Sequence, residues 1–177
     1  TVPATHSFSG TIDVSNFGTL KLQNTTLPTL GTLSTGSTVE YNQSSSVNLE
    51  AATYNNLTIN NSAGTTLSGA INVTGTLSLT NGKVTTGSHV LTLGSGVSSL
   101  GTLEPATPTS SSYIVGNFER WFAASTVSDV YFPVGTATRY LPAIISYTVE
   151  PTMGGKLKVS GHNTDPLANN TENLSDD

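Results

Sequence analysis

A short apolar–polar–apolar unit recurs along the first hundred residues, and its spacing limits what the chain can fold into. It reads Ile12-Asp13-Val14, Leu20-Lys21-Leu22, Val39-Glu40-Tyr41, Val47-Asn48-Leu49, Leu57-Thr58-Ile59, Ile71-Asn72-Val73, Leu77-Ser78-Leu79 and Leu91-Thr92-Leu93. Alternation of this kind is a strand with one buried face. The units fall on three tracks. Leu20, Val39, Leu57, Leu77 and Val97 are spaced 19, 18, 20 and 20. Ile12, Leu33, Ala52, Ile71 and Leu91 are spaced 21, 19, 19 and 20. Leu27, Val47 and Leu67 are spaced 20 and 20. One shared period on three tracks predicts an all-β chain built as a parallel β-helix, a three-sided solenoid of about 20 residues per turn. About five turns fit before residue 105, a stack ~24 Å long at ~4.8 Å per strand.

Between the units lie Thr, Ser, Asn and Gly. These are β-compatible or turn residues that face water. Gly64, Gly69, Gly75, Gly82, Gly87, Gly94 and Gly96 are expected at corners, where a positive φ is useful. A meander of hairpins is the competing fold, because Asn81-Gly82 between Leu77-Ser78-Leu79 and Val84 is a strong hairpin signal. Hairpins leave the common period unexplained.

The texture changes near Pro105 and Pro108. "LEPATPTSSS" reads as a boundary, and the aromatic residues then crowd between Tyr113 and Tyr147. "SYIVGNFERWF", "DVYFPVGTATRYLPAIISYTVE" and "GGKLKVSGH" read as strands of a small antiparallel β-module covering the open end of the solenoid. The expected organisation is a solenoid over 1–105, a linker over 106–112, an antiparallel module over 113–163 and a polar, acidic tail or linker over 164–177.

Two stretches carry a family resemblance. "STVEYNQSSSVNLEAATYNNLTINNSAGTTLSGAINVTGTLSLTNGKV" resembles the repeat regions of very large secreted surface proteins of Bacteroidetes-type bacteria. "SYIVGNFERWF" with "VYFPVGTATRYLPAIISYT" resembles the module that follows those repeats, with Phe132-Pro133-Val134-Gly135 as its clearest mark. Together they span about residues 37 to 150. The resemblance implies an adhesin-like, extracellular or cell-surface setting, with a C-terminal sorting domain outside this chain. It brings no shared catalytic residues.

The totals exclude several chemistries. The formal charge is −5 with no basic run, which argues against nucleic acid as a partner. No apolar stretch approaches the ~18 residues of a membrane span, so no membrane insertion is expected. The chain has no cysteine, and with it no disulfide, thiolate or Cys-ligated zinc. The start at Thr1 reads as a mature or excised segment.

β-Helices often act on polysaccharides, and glycoside hydrolysis needs two carboxylates about 5–10 Å apart. The acids of the repeat are Asp13, Glu40, Glu50 and Glu104; no two stack one turn apart, and Glu40 and Glu50 read as solvated outward charges. His6, His89 and His162 lie in unrelated places, with no nucleophile elbow and no zinc spacing. No cofactor is expected. Calcium at Asp165, Glu172, Asp176 and Asp177 is the one alternative weighed, against a solvated tail without the rhythm of a calcium loop.

The candidates for contact with a glycan or an interface are Trp121, Arg120 and Tyr113. Alternation through "NFERWF" puts Phe118 and Arg120 on one face and Trp121 on the other. Packing of Trp121 competes with sugar stacking. Arg120 and Arg139 are expected to pair with Glu119 or Asp129. The Asn-x-Ser/Thr triplets at Asn24, Asn42, Asn56, Asn60, Asn72, Asn169 and Asn173 read as chance in a chain rich in Asn and Thr.

The expected role is non-catalytic: a stiff spacer and presenting surface within a bacterial surface protein, its partners being neighbouring domains of the same chain or copies of itself. A head-to-tail filament subunit is one alternative, because "TVPATHSFSG" offers no evident cap for the first turn. A module binding surface glycans is the other.

Overall fold

The computed structural model describes residues 10–126 and 128–163; the expectations for the first nine residues, His6 among them, and for the tail over 164–177 lie outside those residues. The described residues form strands and no helix. The strands stack as a parallel β-solenoid of about six turns, with a small antiparallel sheet beside it.

The first side of the coil is a stack of β2 (Thr19–Leu22), β4 (Thr38–Tyr41), β7 (Asn56–Asn60), β10 (Thr76–Asn81) and β12 (Thr102–Glu104), all parallel. Its inward ladders are Leu20–Val39–Leu57–Leu77–Leu103 and Leu22–Tyr41–Ile59–Leu79. The second side stacks β5 (Val47–Leu49), β8 (Thr65–Leu67), the first part of β11 (Val84–Leu93) and the first part of β13 (Ile114–Phe122). The third side holds β1 (Thr11–Val14) on β3 (Thr29–Leu33). Above them lie β6 (Thr53–Tyr54), β9 (Ile71–Val73) and the remaining halves of β11 and β13. Nearly every inward side chain is apolar and buried, and together they form one continuous core.

β10 pairs in parallel with β7 and β12, so Asn81-Gly82 is a corner of the coil and not a hairpin. Gly82 has φ +81°, and a Cβ there would overlap the Asn61 carbonyl of the turn below. Of the expected corner glycines, Gly64, Gly82, Gly87 and Gly94 have positive φ, whereas Gly69, Gly75 and Gly96 do not.

The tracks differ from the sequence reading in register. Leu77 is followed by Leu103 and not by Val97, which is 44% exposed. Residues 94–101 loop out of the coil, closed by hydrogen bonds from Ser95 N–H to Ser99 O (2.8 Å) and Ser99 N–H to Gly96 O (2.9 Å). Val47 stacks on Thr65 while Leu49 meets Leu67, and Ile12 meets Leu30 while Leu33 meets Val14. A slip of two residues keeps the same side inward, so the pattern alone tolerates it, and an irregularity between Ile12 and Val14 takes up the odd residue in the pairing of β1 with β3.

The C-terminal region also divides differently. The stretch expected to open an antiparallel module is the last turn of the solenoid, because β13 lies parallel on β11. β15 (Val134–Gly135) adds to it in parallel as well. The antiparallel pairings are those of β14 (Val130–Phe132) with β16 (Ala143–Ile145), and of β17 (Gly155–Val159) with Phe118–Phe122 of β13. Residues 105–112 bridge one side of the coil to the next, held by Tyr140 Oη donating to Pro108 O (2.6 Å) and Ser112 Oγ donating to Gly82 O (3.1 Å).

Candidate functional site at the last turn

Outside the last turn, the polar side chains of the coil serve its architecture. Asn24, Gln43 and Asn61 recur at the corner after the first side and are all buried. Gln43 Nε2 donates to Asn24 O (3.2 Å), and Asn61 Nδ2 donates to Ser45 O (2.9 Å) and reaches Gln43 Oε1 at 3.5 Å. Asn55 and Asn56 act likewise at the corner that leads from the third side into the first. Asn56 Nδ2 donates to Gly36 O (3.2 Å) while its Oδ1 accepts from Thr76 N–H (2.9 Å), tying three turns together. Such side chains satisfy backbone groups that a sharp corner strands. Of these residues, the sequence reading counts Asn24 and Asn56 among chance triplets and gives Gln43, Asn55 and Asn61 no role. The signal is the recurrence of an amide side chain at Asn24, Gln43 and Asn61, just behind the first three strands of the first side.

The carboxylates are similarly engaged. Asp13 Oδ1 accepts from Thr32 N–H (2.6 Å) and Glu50 Oε2 from Leu30 N–H (2.8 Å), so Glu50 is not the free outward charge expected. Glu40 Oε1 sits 3.1 Å from Lys21 Nζ and accepts from Asn42 Nδ2 (2.7 Å) and Asn60 Nδ2 (3.2 Å). Burial opposes its ionisation, but these donors and the Lys21 charge together hold its carboxyl below the ordinary value. Among the described residues, no three of His, Asp and Glu come together as metal ligands.

The three candidate contact residues separate. Tyr113 is 1% exposed, and its hydroxyl donates to Thr136 O at 2.8 Å; it is core, which removes it as a glycan contact. Lys83 Nζ lies 5.3 Å from its ring centroid and donates to Ala137 O (2.6 Å). Trp121 is half-buried on the outward face, opposite Lys156 of β17, whose Nζ lies 5.9 Å from the ring centroid. Lys156 also takes Glu119 as its partner, at 2.8 Å. The expected arginine pairs do not form: Glu119 is held by Lys156, and Asp129 Oδ1 accepts from Ser146 Oγ (2.6 Å).

Arg120 points to the same face as the fully buried Phe118, and Phe118 meets Phe132 edge to face at 5.9 Å between centroids. Its Nη1 donates to Tyr131 O at 2.6 Å. Its Nε is buried without a hydrogen-bond partner, and desolvation pulls the guanidinium pKa below its ordinary value. Beside it opens a cleft of about 310 Å³, bounded by Leu100, Gly101, the end of β13 and the loop that carries Ser125, Ser128 and Asp129. A cation, three hydroxyls (Thr126 included) and one carboxylate thus share the lining of a recess large enough for one small ligand. Comparison with family models, with curated proteins and with solved structures returns no match for this chain.

Proposed function

We propose that this chain is a non-catalytic structural segment of an extracellular surface protein, a stiff solenoid that spaces and presents the domains beside it. The observation that carries the reading is the employment of its polar groups. Asn, Gln, Asp and Glu side chains of the coil bond to stranded backbone groups or to a neighbouring turn, which fits a scaffold better than a reaction site. Stacked turns with one shared core unfold together, and that cooperativity suits a stiff element. The resemblance of residues 37–150 to adhesin-like bacterial surface proteins favours the same setting, and the acidic charge is in keeping with partners other than nucleic acid.

Stacking of copies into a filament is less favoured. β17 pairs antiparallel over Phe118–Phe122 and occupies the edge that a second copy would need on that side. The test is sedimentation velocity across a wide concentration range, together with limited proteolysis. An unchanging monomer whose residues 10–122 resist cleavage is expected. Concentration-dependent rods, or early cleavage throughout the coil, would overturn the reading.

A further inference from the structure

One inward ladder ends on a charge. Tyr54, Val73 and Leu93 stack on the third side, each fully buried, and the next residue in register above Leu93 is Arg120. A leucine there would continue the ladder, and placing a cation against apolar neighbours costs free energy unless it is paired. The guanidinium is only partly satisfied. Tyr131 O takes one donor, Nε has none, and no ion pair to Arg120 forms among the described residues. The other buried inward positions of the coil carry apolar or neutral side chains, Thr65 and Thr86 among them, so one charged rung backed by a cleft marks a position kept for binding.

The chemistry of the lining narrows the ligand. Arg120 asks for an anion, and a guanidinium matches a carboxylate best. Asp129 lines the same cleft and repels a dianion such as phosphate. Asp129 and the hydroxyls of Ser125 and Ser128 are suited to hydroxyl groups on the ligand. A volume of about 310 Å³ is at the small end of ligand sites and accommodates a single sugar ring. We propose that this cleft binds a hexuronic acid residue, its carboxylate on Arg120 and its ring hydroxyls on Asp129 and the loop hydroxyls. This goes beyond the spacer role and stands or falls separately from it: the presented surface would hold acidic polysaccharide.

The test is a two-dimensional NMR titration of the intact chain with glucuronate and galacturonate, alongside glucose, acetate and glutamate. The expected result is saturable shifts at amides of residues 120–126 and 128–130 with a uronate. Glucose should leave them unmoved, and acetate should bind at least tenfold more weakly. Arg120→Gln should weaken uronate binding by roughly tenfold to a hundredfold, the loss expected for one charged hydrogen-bonding partner. Arg120→Leu, which continues the apolar ladder, serves as the folded control and should not bind. Silence with both uronates, equal response to glucose, retention of binding in Arg120→Gln, or acetate binding as tightly as a uronate would each overturn the proposal. So would binding of glutamate alone, which would make the site one for an amino acid.

Discussion

Tyr41 and Tyr54 meet hydroxyl to hydroxyl at 3.0 Å in the interior of the coil, both completely buried. Tyr54 Oη donates to Glu50 O at 2.7 Å, so its proton is spent there and Tyr41 must donate to Tyr54. Glu50 N–H in turn reaches Tyr41 Oη at 3.3 Å. The result is a closed ring of hydrogen bonds that begins and ends on one backbone residue. Tyr54→Phe strands both the Glu50 carbonyl and the Tyr41 hydroxyl, and should cost about 1–3 kcal/mol in urea denaturation. A change within a few tenths would show that water or a local shift replaces the ring.

The same pair sets an alkaline limit. Burial, foremost, pushes both phenols above their ordinary value of 10.0, and for Tyr54 the Tyr41 and Glu50 neighbours add to the rise. The folded state keeps them protonated while the unfolded chain ionises, so the unfolded state binds fewer protons above pH 10. Stability is therefore flat below that pH and falls as pH rises beyond it, by up to about 1.4 kcal/mol per pH unit for each tyrosine. Melting temperatures from neutral pH into the alkaline range check the slope, and Tyr41→Phe/Tyr54→Phe should flatten it.

Asn61 is fully buried at a corner, its amide donating to Ser45 O and its oxygen accepting from Ala63 N–H at 3.0 Å. Asn61→Ala leaves those backbone groups without partners and should cost about 1–3 kcal/mol. The same substitution at exposed Asn81 should stay within about 0.5 kcal/mol. Equal effects at the two positions in thermal melts would remove the structural role given to this polar ladder.

Gly82 and Gly87 both sit at corners with positive φ, +81° and +58°. Only Gly82 lacks room, since a Cβ there overlaps the Asn61 carbonyl, whereas nothing lies within 4 Å of the corresponding point at Gly87. Gly87→Ala should cost about 1–2 kcal/mol for the left-handed backbone alone. Gly82→Ala should cost more, or prevent folding, and chemical denaturation of the two variants decides the order.

Arg120→Leu should raise the melting temperature. It replaces a desolvated cation above Leu93 with a rung like those below, a change that is often stabilising by about 1–4 kcal/mol. A large loss of stability would instead make the bond to Tyr131 O the reason for the arginine.

The coil was legible because its three tracks carry one period, and Leu20, Val39, Leu57 and Leu77 stack as that period requires. Register was not legible. Val97 matches the spacing, yet the loop of residues 94–101 leaves the stack and Leu103 takes the rung. The last turn hid for a different reason. "IVGNFERWF" bends at Gly116, where φ is +114° and a Cβ would run into Thr86 Oγ1, so one strand serves two sides of the coil. Its aromatic residues and arginine read as a separate module. Arg120 and Trp121 were found as chemistry-bearing residues, but whether each faces inward or outward in the coil depends on pairing with β11 and β17, which spacing alone does not encode.

The most direct test of this architecture uses the absence of native cysteine. Thr92 and Glu119 are partners in the parallel pairing of β11 with β13, both on the outward face. Neighbouring parallel strands bring such a pair to ~4.8 Å, within disulfide reach. The double variant Thr92→Cys/Glu119→Cys should close an intramolecular disulfide under mild oxidation, and non-reducing mass analysis should find a monomer without free thiols. Two free thiols in a folded monomer would contradict the account, because β13 would then not be the last turn of the solenoid.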